Sequence, residues 1–227
     1  MVEDIGALTE GGESLLKMWR VTLLPFKRVL QRHSHTRFEI TVVEKGAGSY
    51  TTAEGVLPMR AGDVFVFAGN EPHCITAVED EGLCIVNLHF EPRYVWGRAG
   101  DSLSERHLNF CFAHAPDFSS RIAAENAAAL RSLHGEIAEE LREKRDEYAL
   151  AVKSLLNLLL ITLIREHGYA AADGDSAGVR GMLRAMDYID RHLCEKLTLA
   201  DIAAQAGCSP TYFSALFRRY NTVSLWE

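Results

Sequence analysis

TLADIAAQAGCSPTYFSALFRRY, residues Thr198 to Tyr220, reads as two short helices joined by a tight turn. Thr198, followed three residues later by Asp201, is a helix N-cap: the hydroxyl takes a free backbone N–H and the acid sits in the first turn. Ile202, Ala203 and Ala206 give that helix an apolar face, and Gly207 supplies the positive φ that ends it. Ser209 caps the next helix with Pro210 at its first position, where a missing N–H costs nothing. Phe213, Leu216, Phe217 and Tyr220 then recur at the spacing of a buried stripe. This leaves Thr211, Ser214, Ala215 and Arg218 nearer the exposed side. Small polar residues on the first exposed turns and a basic far end suit the major groove of DNA.

Two helices around a glycine also describe an ordinary αα-hairpin. The combination of Ala-Gly, Ser-Pro and Leu-Phe-Arg-Arg is more specific. From Leu199 to Arg218 the stretch resembles the first helix-turn-helix of AraC/XylS-type transcription regulators, following L-x-x-[IL]-A-x-x-A-G-x-S-x-x-[YF]-[FL]-x-x-x-F-[KR]. The resemblance implies a ligand-responsive, sequence-specific DNA-binding regulator of transcription and no enzymatic activity. It places Thr211, Ser214 and Ala215 toward base edges, and Ser209, Tyr212, Arg218 and Arg219 toward phosphates or the supporting core. The family carries a second helix-turn-helix beyond a joining helix, and Tyr220 to Glu227 align with the start of that helix. Operator binding by these residues alone is therefore expected to be weak.

Working outward, the 227 residues are 48% hydrophobic, enough for one large domain or two modest ones. The formal charge of −7 is unevenly placed. Residues 179–227 hold six Lys/Arg and five Asp/Glu, which leaves 18 (24 − 6) against 26 (31 − 5) for the remainder. A general nucleic-acid coat is excluded, and any DNA contact is local to the end of the chain. Five cysteines (Cys74, Cys84, Cys111, Cys194, Cys208) without a CxxC pair suggest neither a disulfide framework nor a zinc knot. The first residues lack the pattern of a signal peptide, and the apolar run Leu155–Ile164 is too short to span a bilayer, so a cytoplasmic, non-membrane location is expected.

Residues 1–17 read as a polar N-terminal arm. From Met18 to Phe90 the runs MWRVTLL, RFEITVVEK, GSYTTA, DVFVFA, HCITAV and LCIVNLHF, separated by turn residues, predict a small β sandwich or barrel. Apolar residues on both parities of FEITVV imply that both of its faces are covered. Within this region His33, His35 and Glu39 share strand parity, and His73 follows the Pro72 turn. The run H-x-H-x3-E-x6-G resembles the first cupin motif, and Gly62-Asp63-Val64 with His73 resembles the second, although Ala68, Asn70 and Ala77 depart from it. The implied fold is α+β: a cupin-like double-stranded β-barrel over residues 18–118, then helices. Three readings of the cluster stay open. His33, His35, Glu39 and His73 hold a divalent transition metal, as in a cupin dioxygenase or isomerase; they line, with Arg37, the pocket of a small-molecule effector; or they are surface and rim residues.

From Ser119 to Lys144 the period changes to that of an amphipathic helix, and Tyr148–His167 is apolar nearly all round. Residues 119–167 are therefore expected to form a helical pair. The resemblance implies a homodimer contact there, through Leu133, Ile137, Leu141, Leu155, Leu156, Leu159 and Leu163, while an intramolecular core helix is the competing reading. Residues 168–178, small and Gly-rich, read as a linker. Val179–Leu193 predicts a helix bracing the helix-turn-helix of a partial DNA-binding domain over 179–227.

Overall fold

The computed structural model describes residues 1–27, 34–69, 71–95, 117–169, 176–221 and 224–226. Its β part comprises β1 (Val2–Glu10), β2 (Glu13–Leu23), β3 (Phe26–Lys27), β4 (Phe38–Thr52), β5 (Gly55–Arg60), β6 (Val64–Phe67), β7 (Cys74–Phe90) and β8 (Arg121–Ile122). The helices are α1 (Pro92–Val95), α2 (Ala128–Glu143), α3 (Tyr148–Glu166), α4 (Ser176–Arg191), α5 (Leu199–Ala206) and α6 (Pro210–Asn221).

Two long antiparallel strands organise the β domain. β4 and β7 pair from Phe38↔Phe90 to Thr51↔Cys74, with register shifts around Val43/Lys45, Gly46/Gly48 and Ser49/Tyr50. Those bulges bend the ribbon. Gly46 has φ +82, and a Cβ there would lie 1.9 Å from the Gly82 carbonyl oxygen, so only glycine lets the strands approach at the bend. On one side of the bend the sheet runs β1-β2-β7-β4-β6-β8; on the other, β5 joins β4 and β3 joins β7. The halves close on a shared interior of Val43, Tyr50, Met59, Phe65, Phe67, Val78, Leu83 and Ile85. This is the expected cupin-like β domain within an α+β chain.

Strand alternation sends Phe38, Ile40 and Val42 to the opposite face, where they join Val64, Val66, Val86, Leu88 and the helices. Both faces of FEITVV are thus covered, as its double-parity pattern predicts. The expected arm is instead a hairpin. Residues 2–10 pair with β2 through the two-residue turn Gly11-Gly12, both with positive φ, and Ile5 and Leu8 are buried. A bulge beside Gly6 puts Ile5 and Leu8 on one side despite their odd spacing, so simple alternation does not reveal the strand.

The helix expected from Ser119 begins at Ala128. The residues before it form β8 and then a 3-10 turn, Ala124–Asn126, held by the Val66 N–H donating to the Ser120 carbonyl and the Ala124 N–H donating to the Asp63 carboxylate. Ile122, part of the supposed helical stripe, is a buried strand residue of β8. α2 and α3 pack together beneath the sheet, burying Leu130, Leu133, Ile137, Leu141, Val152, Leu156, Leu159 and Leu163. α3, Tyr148–Glu166, is by length and composition long and apolar enough to cross a membrane, but in this fold Val152, Leu156, Leu159, Leu160, Thr162 and Leu163 are buried in the core. The expected linker is shorter than 168–178. Tyr169 is buried between Phe38 and Phe118, α4 begins at Ser176, and 170–175 lie outside the described residues.

The helix-turn-helix forms as its residues dictate. Thr198 and Asp201 make a reciprocal capping box, and Gly207 closes α5 in the left-handed conformation. Arg184 of α4 donates to the carbonyls of Gln205 and Ala206 at the end of α5. Phe213, Leu216 and Phe217 seat α6 in the core.

Candidate functional site

Three imidazoles converge on one carboxylate inside the β domain. Glu39 of β4 points inward by parity with Thr41 and Val43, and its Oε2 lies 3.0 Å from His35 Nε2, 3.1 Å from His73 Nε2 and 2.7 Å from His89 Nε2. The Thr41 hydroxyl donates to its Oε1 at 2.7 Å and lies 2.8 Å from the Asn87 carboxamide. His73 stacks on Phe67 at 4.1 Å, and Trp19 meets the edge of His89 at 4.4 Å. Glu39 and His73 are buried, whereas His35, His89 and Trp19 keep partial exposure and mark the open side. Burial opposes ionisation of Glu39, but the three imidazole hydrogen bonds outweigh it and hold the carboxyl well below the usual carboxylate range. For His73 burial pulls downward and the Glu39 carboxylate pulls upward more strongly; for His89 burial prevails and the net shift is downward. Burial, then the Glu39 charge, raises the Tyr50 phenol.

Of the residues expected here, His35, Glu39 and His73 come together, and His33 lies outside the described residues. Arg37 turns elsewhere: its guanidinium donates to the Ser14 carbonyl at 2.8 Å and to Glu91 at 3.3 Å, tying the start of β4 to β2 and to the residue before α1. Its hydrogen bonds go to the scaffold rather than to Glu39, while its charge acts on His89 of the cluster. His89 takes its place. The signal was present in LCIVNLHF, where Leu83, Ile85, Asn87 and His89 share the inward parity and end in two polar groups. The Gly62-Asp63 pair serves the fold: Asp63 accepts from the Arg60 and Ala124 N–H groups and from Arg121.

The donor set fits a divalent cation. Imidazole nitrogens and a carboxylate oxygen are ligands of first-row transition ions, and the ligand atoms of His35, Glu39 and His89 lie within 4.8 Å of one another.

The second surface is α6. Ser209 Oγ accepts the Tyr212 N–H, capping the helix. Ser209, Thr211, Tyr212, Ser214, Ala215 and Arg218 are exposed while Phe213, Leu216 and Phe217 are buried. All the expected reading residues except Arg219, whose side chain lies outside the described residues, therefore stand in solvent. Six of the seven leucine and isoleucine residues expected at a dimer contact do not: Leu133, Ile137, Leu141, Leu156, Leu159 and Leu163 are buried within the chain, and only Leu155 keeps partial exposure. They belong to the chain's main apolar core.

The model of the AraC-like ligand binding domain matches residues 27–160, more than half of the chain, and that of bacterial regulatory helix-turn-helix proteins of the AraC family matches residues 189–222. The chain belongs to the AraC family. Among curated proteins, regulatory protein PocR of Salmonella typhimurium is 45% identical over 42 residues, which are 18% of this chain and 14% of PocR. The match thus spans a small part of that relative's length. Among solved structures, a cupin 2 conserved barrel domain protein from Salinispora arenicola is 14% identical, with 40% of this chain and 74% of that one covered and a TM-score of 0.33. A cupin protein from Bacteroides fragilis is 21% identical, with 38% and 74% covered and a TM-score of 0.33. The AraC-family matches fall on the two surfaces described above.

Proposed function

We propose that this AraC-family chain is a ligand-responsive, sequence-specific DNA-binding regulator of transcription, working in the cytoplasm, with the β domain as sensor and α6 as reading helix. The observation that carries the proposal is the division of α6. Its apolar stripe is buried, while Thr211, Ser214, Ala215 and Arg218 stand exposed on a helix that follows α5 across the Gly207 turn. Thr211 and Ser214 offer hydroxyls to base edges, Ala215 a methyl for thymine, and Arg218 a charge for phosphate. A small-molecule effector in the Glu39 pocket acts by binding one arrangement of sensor and reading helix more tightly than another. Selection from random duplex DNA with the purified protein tests the reading. The wild type should enrich one recurring sequence and a Thr211→Glu/Ser214→Glu variant none; enrichment of nothing, or of the same sequence by both, removes it.

A homodimer belongs to the same proposal, with its contact moved to the outer face of α3. Leu150 and Leu158 are 62% and 50% exposed, and with the half-buried Leu155 and Ile161 they form an apolar stripe that the described residues cover only in part. Changing Leu150 and Leu158 together to glutamate should leave the unfolding midpoint nearly unchanged and shift the mass measured by light scattering from two chains to one. A monomeric wild type would refute the dimer.

A further inference from the structure

The final carbonyls of an α-helix have no partner within it and must find one outside. At the end of α5 these belong to Ala203, Ala204, Gln205 and Ala206. The closing turn answers two of them: the Gly207 N–H donates to the Ala204 carbonyl at 3.0 Å and the Cys208 N–H to that of Ala203 at 3.1 Å. The other two are answered from α4. Arg184 Nε donates to the Gln205 carbonyl at 3.0 Å, and Arg184 Nη2 to the Ala206 carbonyl at 3.3 Å. A guanidinium is a rigid planar fork, so the two bonds together fix a direction that a single point charge would not. The same group sets positive charge at the negative end of the α5 dipole.

Gly181, one turn earlier on α4, is the other half of this grip. A Cβ there would lie 2.6 Å from the Ala206 carbonyl oxygen, a backbone atom that cannot swing aside. Glycine is disfavoured inside a helix relative to alanine, and the close approach of α4 to the end of α5 is what it permits here. Only Gly207 and Cys208 separate Ala206 from Ser209, the cap of α6. Any displacement of the Gln205 and Ala206 carbonyls is therefore passed to the start of α6, with no further element to absorb it.

We propose, on the basis that α6 is the reading helix, that Arg184, seated by Gly181, is a positioning residue for DNA recognition: it fixes the exit of the chain from α5 and with it the angle at which α6 presents Thr211, Ser214 and Ala215 to base edges. Arg184 faces the carbonyls of α5, whereas Arg218 stands exposed on α6 itself. The two arginines thus have separable signatures, one in discrimination and one in salt dependence.

The test measures affinity of the whole chain for the selected duplex and for a scrambled one over a range of salt. Arg184→Ala should lower the ratio of the two affinities by about fivefold, the worth of one displaced base contact, and leave the salt slope unchanged because no phosphate contact is lost. Arg184→Lys keeps the charge without the fork and should fall between wild type and Arg184→Ala. Gly181→Ala improves helix propensity yet should lower the ratio in the same way. An arginine with a merely structural role would lower the urea midpoint and leave the ratio of the folded protein as it was. Backbone amide resonances of the free protein add a readout that needs no DNA: Arg184→Ala should move those of Gly207 to Phe213 and leave those of Glu39 to Thr41 in place. An unchanged ratio in both Arg184→Ala and Gly181→Ala would overturn the assignment. So would unmoved resonances at the turn, or equal weakening of both complexes with a salt slope lower by about one, which would make Arg184 a phosphate contact. A wild type that selects no duplex removes the reading of α6 instead, and the resonances at the turn still decide whether Arg184 holds it.

Discussion

Asp63→Ala is expected to destabilise the protein by about 3 kcal/mol, the lower end of the cost of breaking a buried charge pair. Asp63 is 1% exposed, and its two oxygens take Arg121 Nε at 2.8 Å, Arg121 Nη2 at 3.1 Å, the Arg60 N–H at 2.9 Å and the Ala124 N–H at 3.0 Å. Truncation leaves those donors without their acceptor. The backbone groups pay the larger penalty, since the Arg121 side chain keeps 26% exposure and can turn to water. The damage falls on the joint between the β domain and the helices, because β8 and the turn before α2 hang on this carboxylate. Arg131 reinforces the same joint by donating to the carbonyls of Gly62 and Ala124. Asp63→Asn, which keeps the shape and one acceptor, should cost about half as much. Urea unfolding with an unchanged m-value reads the difference. A loss under about 1 kcal/mol would show that the joint does not depend on Asp63.

His134→Leu is expected to remove an acid sensitivity of about 3 kcal/mol. His134 lies on α2 against the back of the sheet, and its Nε2 has no hydrogen-bond partner among the described residues. Burial pushes the imidazole down to about 4, against a backbone bond at Ile40 and the charge of Glu44, which act upward. The unfolded chain takes up this proton near pH 6.5, and the folded chain does so only near pH 4. Between those values the unfolded state binds more protons, so stability is complete above about pH 6.5 and falls as pH drops toward 4. Glu39, His73 and His89 titrate in both proteins, with His89 acting in the same direction and His73 in the opposite one. The quantity to measure is therefore the difference in unfolding free energy between wild type and His134→Leu at pH 7 and at pH 4.5. Equal slopes for the two proteins would place the acid sensitivity elsewhere.

The helix-turn-helix was the most legible part of the chain because its signals are local. A capping Thr-x-x-Asp, a closing Gly207 and Ser209-Pro210 each act on their own backbone, and an uninterrupted stripe orients α6. The β domain was legible as strands, and Glu39 with His35 and His73 as a cluster. His89 and the β1–β2 hairpin were harder to see. Reaching Glu39 from β7 depends on register across the sheet, and Ile5 and Leu8 share a face only because of a bulge. The dimer residues failed for a related reason. An apolar period shows that a surface must be covered, but not whether the same chain or a second one covers it, and here the chain's own core takes Leu156, Leu159 and Leu163.

The central claim is that α6 reads DNA sequence, and the most direct measurement is the ratio of affinities for the selected duplex and a scrambled one at the same salt. Wild type should favour the selected duplex by at least about tenfold, the worth of one good base contact. Arg218→Ala should weaken both complexes about equally and lower the salt slope by about one. A ratio of one for the wild type, or a ratio unchanged by Thr211→Glu/Ser214→Glu, would contradict it.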